Sequence, residues 1–263
     1  MKKTLLACLV MFTSFTACAN EYQSISHATY ADVEEDNLFH IETLYYFDAR
    51  KALGPYNEFS YINTKSNIGA FYSDNEDDDT IGVHGEYFFN NFVAGASYRN
   101  SDSNWGDVDY YEASFGYLFT PDLIARIHYR DSDARGIDGS FYATAQYNLS
   151  LNTTDYVGFT ASVDDEFDYL SLDTKYYAEL GQGRYLTVNL DINAGDFDHW
   201  LLGSNYYFNE GLSVFASVNK SDDIQVGGRY YFNTNWALSG SYGTNLDSDF
   251  DYDMFQINLT AQF

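Results

Sequence analysis

Side chains that could act as a base, a nucleophile or a metal ligand are scattered along this sequence. The histidines lack the spacing of a zinc enzyme, such as His-x-x-x-His; they are His27, His40, His84, His128 and His199. His128 with Ser97 or Ser114 is the nearest pairing of a base with a nucleophile. Such groups can converge from distant segments, so an enzyme is kept as an alternative. The pattern favours a protein with no catalytic residues, no metal and no cofactor.

Two acidic runs could bind divalent cations. One is Asp74 to Asp79, and the other is residues 247–253, in which Asp stands at every second position. The second run begins as an EF-hand loop does but lacks the glycine at position six and the glutamate at position twelve. Solvated acidic loops are therefore the simpler interpretation, and weak divalent-cation binding stays an alternative.

Other charged residues lie in segments whose side chains alternate between apolar and polar. In these segments they occupy the polar positions. If the apolar positions face lipid, the charged positions face an aqueous interior. The sequence predicts six basic and six acidic pore-lining residues, which are Lys65, Arg99, Arg126, Arg130, Lys175, Arg229, Glu42, Glu86, Glu112, Asp173, Glu179 and Asp191. Two outcomes are open: basic and acidic groups on opposed walls would create a transverse field that favours polar solutes, or neighbours pair with one another.

The alternation itself indicates which elements must position these side chains. At the C-terminus, Phe255, Ile257, Leu259, Ala261 and Phe263 alternate with polar residues. A period of two residues is that of a β-strand. In lipid every backbone polar group must be paired within the protein, so alternating strands must close into a barrel. The composition agrees, because 19% aromatic residues accompany a mean hydropathy of −0.36.

Aromatic triplets followed by short turns mark one rim of this barrel, and acidic stretches mark the other. The triplets are Tyr45-Tyr46-Phe47, Tyr87-Phe88-Phe89, Tyr117-Leu118-Phe119, Tyr206-Tyr207-Phe208 and Tyr230-Tyr231-Phe232. Outer-membrane barrels have short periplasmic turns and longer outer loops, so the triplets predict the periplasmic rim. The hairpins predict an all-β, transmembrane, antiparallel up-and-down β-barrel of about sixteen strands, with fourteen as the alternative. The third predicted strand covers residues 58–73.

A barrel of this size has a functional consequence. Eight strands would be filled by their own side chains, whereas sixteen strands leave a water-filled channel. An energised receptor would need about twenty-two strands and a plug domain, for which the chain is too short. The strand count therefore favours a passive channel.

Residues 1–19 have the pattern of a secretory signal peptide. Lys2 and Lys3 precede a mostly apolar stretch, and Ala17-Cys18-Ala19 fits a cleavage site. We therefore expect a signal peptide at 1–19 and one barrel domain at 20–263. Both cysteines of the chain lie in the signal, so no disulfide is expected in the mature protein. Lipidation of Cys18 is the alternative. No later apolar run is long enough for a helical anchor.

A more specific motif lies in residues 44–63. Leu44-Tyr45-Tyr46-Phe47-Asp48 is followed by Gly54-Pro55 and then by Glu58-Phe59-Ser60-Tyr61-Ile62-Asn63, and the chain ends in Phe263. In these features the sequence resembles the putative general bacterial porin family of Gram-negative bacteria. The resemblance implies passive diffusion of small hydrophilic solutes across the outer membrane, with Phe263 as an assembly signal for the barrel assembly machinery. General porins often fold a long third outer loop into the pore, but residues 101–108 are too few for that here.

The net charge of −26 bears on the expected partners. Most of the acidic residues fall in the outer rim, so the mouth should enrich cations and the channel should be mildly cation-selective. No basic patch for a nucleic acid is present. Outer-membrane lipid and lipopolysaccharide are the expected surroundings, and a homotrimer is left open. The alternative functions are a structural or receptor barrel with a closed lumen and a substrate-specific channel for sugars or oligosaccharides.

Overall fold

A computed structural model describes residues 20–33, 36–104, 106–134, 136, 138–195, 198–247 and 253–263 of the chain. In these residues sixteen antiparallel strands form a closed barrel in which each strand pairs with its neighbours in sequence. The described residues contain no helix that is long and apolar enough to cross a membrane. The predicted signal peptide, Glu34, Glu35 and residues 248–252 of the second acidic run lie outside the described residues.

The strand bounds are as follows. In chain order they are β1 (Glu21–Val33), β2 (Asp36–Lys51), β3 (Asn67–Asp74), β4 (Asp78–Phe89), β5 (Phe92–Ser103), β6 (Gly106–Thr120), β7 (Leu123–Ser132), β8 (Ser140–Ser150), β9 (Tyr156–Asp164), β10 (Tyr169–Gly181), β11 (Arg184–Gly195), β12 (His199–Asn209), β13 (Leu212–Asn219), β14 (Asp223–Tyr231), β15 (Trp236–Asn245) and β16 (Asp253–Gln262). The predicted barrel with sixteen strands is confirmed.

The two-residue period produces an apolar outer face. On β16, Phe255, Ile257 and Leu259 are exposed on the outer wall, and Ile127 and Tyr129 are exposed in the same way on β7. Side chains of the opposite parity point into the barrel. This outer face is the surface that a membrane-spanning barrel presents to lipid.

The first and last strands seal the barrel. β1 pairs with β16 from Ile25 opposite Gln262 to Val33 opposite Met254. The carbonyl oxygen of Phe263 also accepts hydrogen bonds from the backbone amides of Gln23 and Ser24, at 2.5 and 2.8 Å. The terminal residue therefore closes the sheet, which leaves no unpaired edge in lipid.

Short hairpin turns join most strands at the end that carries Glu21 and Phe263, which we call the periplasmic end after the rule for short turns. Gln182 and Gly183 form one such turn, with φ of 58° and 70°. Positive φ at both central residues is the conformation of a type I′ turn, whose twist matches that of the flanking strands. At the opposite, outer end, β5 ends at Ser103 and β6 begins at Gly106.

One connection at the periplasmic end departs from the prediction. The third strand begins at Asn67, so the predicted strand over residues 58–73 is wrong for its first half. β2 instead continues to Lys51 because its last residues pair with β1. Residues 52–66, which we call the inward segment, have an isolated bridge between Ala52 and Phe59 and no strand. Pro55 is buried in this segment and does not begin a strand.

The inward segment lies inside the barrel and contacts strands around most of its circumference. Ile62 packs with Val93 of β5 and Ile124 of β7. Phe59 meets the ring of Tyr22 on β1 at 6.1 Å, and Tyr56 meets that of Tyr231 on β14 at 5.3 Å. The segment therefore crosses the bore at its periplasmic end.

A ring of tyrosines surrounds the inward segment, and we call it the tyrosine collar. Its members point inward near the periplasmic end and are each less than a tenth exposed; they are Tyr22, Tyr46, Tyr156, Tyr177, Tyr185, Tyr207 and Tyr231. Tyr156 and Tyr177 stack at 5.4 Å, a geometry worth about 0.5–1.5 kcal/mol beyond burial. The ring of Tyr185 lies so close to Gly54 that a Cβ there would approach it to 2.5 Å. Gly54 is therefore required by the collar as well as by its φ of 156°.

Candidate functional site

The structure places eleven of the twelve predicted pore-lining residues on inward-facing strand positions. Lys65 is the exception, because it belongs to the inward segment. Its backbone carbonyl accepts hydrogen bonds from the side chains of Asn63 and Asn67, at 2.9 and 3.0 Å. These bonds hold the end of the inward segment against the start of β3.

Arg126 is fixed against the wall by two neighbours. Its Nε lies 2.9 Å from Oε1 of Glu86 on β4, and its Nη1 donates to Oε1 of Gln146 on β8 at 2.9 Å. Arg126 is only 8% exposed. This pair reduces the charge that both groups offer to the bore.

Glu112, His128 and Tyr142 form a second cluster on the wall. The Nδ1 of His128 lies 3.0 Å from Oε1 of Glu112, and the hydroxyl of Tyr142 donates to Oε2 of Glu112 at 2.8 Å. The rings of His128 and Tyr142 stack at 4.3 Å. Both oxygens of the Glu112 carboxylate are therefore engaged by β7 and β8.

Three of the predicted pore-lining arginines lack a carboxylate within ion-pairing distance in the described part of the chain, namely Arg99, Arg130 and Arg229. The guanidinium of Arg99 lies over the ring of Tyr110 at 4.2 Å, and that of Arg130 lies over the ring of Tyr142 at 5.4 Å. Arg229 is on β14, eight strands from β6 in the ring of sixteen. Basic groups therefore occur on two opposite walls.

The inward carboxylates are concentrated on β10 and β11. Asp173 and Asp191 are direct cross-strand partners, and Glu179 lies nearer the periplasmic end of β10. These strands are about a quarter of the circumference from β6. The basic and acidic groups are thus not diametrically opposed, so they do not form a simple transverse field across the bore.

The shortest ion pair of the bore joins the inward segment to the wall. The Nζ of Lys175 donates to Oε2 of Glu58 at 2.5 Å, and the hydroxyl of Tyr207 donates to Oε1 at 2.5 Å. Glu58 is 4% exposed. A carboxylate with so little access to water requires these partners, since leaving a buried charge unpaired costs about 3–5 kcal/mol.

Further hydrogen bonds attach the inward segment at several points. The Nε2 of Gln262 on β16 donates to the carbonyl of Tyr56 at 3.1 Å, and the hydroxyl of Tyr177 donates to the carbonyl of Leu53 at 3.2 Å. The hydroxyls of Tyr61 and Thr160 are 2.7 Å apart. Backbone carbonyls in the segment thus find partners that a strand ladder would otherwise supply.

The phenol of Tyr56 also contributes at the periplasmic end. Burial raises its pKa above the usual value of 10.0, and the nearby carboxylate of Glu210 adds to the rise. The phenol therefore stays neutral at physiological pH, which suits its edge-to-face contact with Tyr231.

Glu58 and the tyrosine collar are parts of the site that the charge pattern of the strands did not predict. The aromatic triplets contain a signal for the collar. In three of them the middle residue is a tyrosine, namely Tyr46, Tyr207 or Tyr231, and all three tyrosines are buried. Their neighbours Phe47, Phe208 and Phe232 are exposed. Strand parity alone places the two kinds of aromatic residue on opposite faces.

The residues that could do chemistry are also placed. His128 lies opposite Ser114 across β6 and β7, but its ring nitrogens are near Glu112 and the hydroxyl of Thr144, the latter at 3.1 Å. Among the described residues no group of three or more His, Cys, Asp or Glu could hold a metal ion. The arrangement supports a polar wall and a narrowed bore.

A comparison with protein families finds one match over the whole sequence. The family described as "Putative general bacterial porin" matches residues 1–263. No curated protein matches the sequence.

Solved structures of outer-membrane proteins share the fold. The chain is similar to the outer membrane protein Omp33 of Acinetobacter baumannii, with 17% identity and a TM-score of 0.61 over 94% of this chain and 100% of that one. It is also similar to a triple mutant of the Rhodopseudomonas blastica porin, with 12% identity and a TM-score of 0.54 over 91% of this chain and 98% of that one. At these identities the similarity supports the barrel fold alone.

Proposed function

The chain belongs to the putative general bacterial porin family and is an outer-membrane channel protein, and from this premise we propose that it passes small hydrophilic solutes and ions through a bore that the inward segment narrows. The observation that carries the proposal is the combination of a sixteen-strand barrel with a segment held across one end by Glu58, Lys175 and Tyr207. A barrel of this circumference would otherwise leave a wide aqueous channel.

The mature protein is proposed to begin at Asn20, after cleavage of residues 1–19. β1 starts at Glu21, so the cleavage site would stand directly before the barrel. The backbone carbonyl of Asn20 accepts a hydrogen bond from Ala52 at 2.9 Å. Purification of the protein from outer membranes followed by N-terminal sequencing would test this boundary.

Selectivity for cations is proposed to arise at the outer end. Acidic side chains at the outer turns, such as Glu76 and Asp77, are exposed. Their field should attract cations within a Debye length of about 8 Å at physiological ionic strength. Bilayer recordings in a KCl gradient should give a reversal potential of cation-selective sign, which shrinks as total salt rises.

A matched pair of variants locates the source of this selectivity. Glu76→Gln with Asp77→Asn should reduce the reversal potential measurably at low salt. Asp48→Asn with Asp122→Asn makes the same change in charge at exposed positions of the periplasmic end and should leave the potential closer to that of the parent. Equal effects of the two pairs would show that net charge acts without regard to position, contrary to the proposal.

The second candidate is a structural or receptor barrel with a closed lumen, and the inward segment is the observation that favours it. Planar-bilayer recording separates the two, because the proposed channel gives stable current steps and a closed barrel gives none. The same recording counts conducting units per insertion and so tests the proposed homotrimer. Lipopolysaccharide and the barrel assembly machinery, with Phe263 as the assembly signal, are the further proposed partners.

A further inference from the structure

An aromatic and basic cavity lies on the inner wall towards the outer end. It has a volume of about 650 Å³ and is formed by β3 to β8, with Arg99, Tyr110 and Arg130 among its lining residues. We call Arg99, Tyr110, Arg130 and Tyr142 the vestibule cluster. β5 and β7, which carry the two arginines, are separated by one strand, so their backbones are about 10 Å apart.

Arg99 keeps its hydrogen-bonding capacity. Its guanidinium rests over the ring of Tyr110 at 4.2 Å, which orients the group without using its N–H donors. In the described part of the chain no carboxylate lies within 4.0 Å of it. Arg99 is also exposed to the bore, so a passing solute can reach it.

Arg130 does not form an ion pair with the neighbouring Glu112, so its guanidinium is available to a solute. The two residues are direct cross-strand partners, but the Glu112 carboxylate is engaged by His128 and Tyr142. The Nε of Arg130 donates to Oγ of Ser140 at 3.0 Å. This contact leaves the two terminal nitrogens of the guanidinium, which can bind a carboxylate in a bidentate manner.

We propose that the vestibule cluster is a binding site for small monocarboxylates with a planar apolar body, such as an aromatic acid. Arg99 and Arg130 would bind the carboxylate, and the rings of Tyr110 and Phe71, which also line the cavity, would contact the body. The inference rests on the proposed function, because such solutes reach the cavity through the outer mouth. It adds a site for anions to a channel whose mouth favours cations.

The surroundings favour a single negative charge on the solute. Asp138 also lines the cavity, and it would repel a second carboxylate. A monocarboxylate can approach the arginines while its uncharged end faces this acid. The site would thus select for solutes that carry one charge and an apolar part.

The test is isothermal titration of the folded full chain in detergent micelles, with benzoate as the probe and benzamide as its uncharged isostere. Benzoate should bind saturably, and benzamide should bind about tenfold more weakly or worse, since a charge-assisted hydrogen bond contributes at least that factor. Arg99→Gln and Arg130→Gln should each weaken benzoate binding about tenfold. Both arginines are exposed, and heat-modified gel mobility checks that the variants fold.

Lys220→Gln is the matched control. Lys220 is exposed in the outer turn between β13 and β14, and the change removes one positive charge, as each arginine variant does. Benzoate binding should be unchanged. Absence of saturable benzoate binding, equal binding of benzamide, or equal loss in Lys220→Gln would each overturn the proposal. Because calorimetry does not depend on conduction, a silent channel that binds benzoate would contradict the proposed function and leave the site intact.

Discussion

Replacement of residues 53–65 by a glycine–serine linker of equal length should raise the single-channel conductance several-fold. The linker keeps the connection between β2 and β3 but removes the side chains that attach the inward segment to the tyrosine collar. A glycine–serine chain behaves as a flexible coil, so it has no reason to remain across the bore. The sixteen-strand wall would then enclose an open aqueous channel.

Single-channel recording in planar bilayers measures this effect. The control variant replaces residues 165–167, in the outer turn between β9 and β10, with Gly-Ser-Gly, and its conductance should match that of the parent. Circular dichroism must show that both variants keep the β-barrel. An unchanged conductance in a folded linker variant would mean that the inward segment does not limit flow.

The substitution Glu58→Ala should increase the fraction of time that the channel is open. It leaves Lys175 and Tyr207 without the carboxylate that they contact at 2.5 Å. Removal of one member of a buried ion pair costs about 3–5 kcal/mol, and here that cost falls on the docked position of the inward segment. Two-state equilibria shift by about tenfold for each 1.4 kcal/mol, so the undocked population should rise by two orders of magnitude or more.

Two further variants make this prediction specific. Glu58→Gln keeps a hydrogen-bond acceptor for Tyr207 but loses the charge, so its open probability should be intermediate. Thr64→Ala changes an exposed residue of the same inward segment and should behave as the parent. An open probability that is equal in Glu58→Ala and Thr64→Ala would contradict the role of Glu58 as an anchor.

The barrel was predictable from the sequence because each strand is under one strong constraint. Lipid requires apolar residues on one face, so residues such as Phe255, Ile257 and Leu259 mark the period of β16 without reference to other strands. Turn residues at the triplets then fix the hairpins. The pairing of Arg126 with Glu86 was not predictable, because the register that brings β4, β5, β6 and β7 together depends on the whole sheet.

Residues 58–66 of the inward segment were predicted as part of a strand for a physical reason. In residues 58–63 charged and polar side chains are interspersed with aromatic and aliphatic ones, which is also the pattern of a half-buried strand. Their true environment is a polar and aromatic bore in which Glu58 meets Lys175 and Ile62 meets Val93. Tertiary contacts with distant strands override the local preference here.

The contacts of the inward segment also imply an order in which parts of the barrel assemble. Tyr56 bonds to Gln262, 206 positions later in the chain, and Glu58 bonds to Tyr207, 149 positions later. Contacts between residues so far apart in the sequence form late in folding, because the long loops between them must close first. An insertion intermediate that lacks β16 would have neither the final seam nor the hydrogen bond from Gln262 to Tyr56, and it would leak. We expect such intermediates to conduct current, and this current should fall when the last strand docks. The fall in current would report the completion of folding in real time.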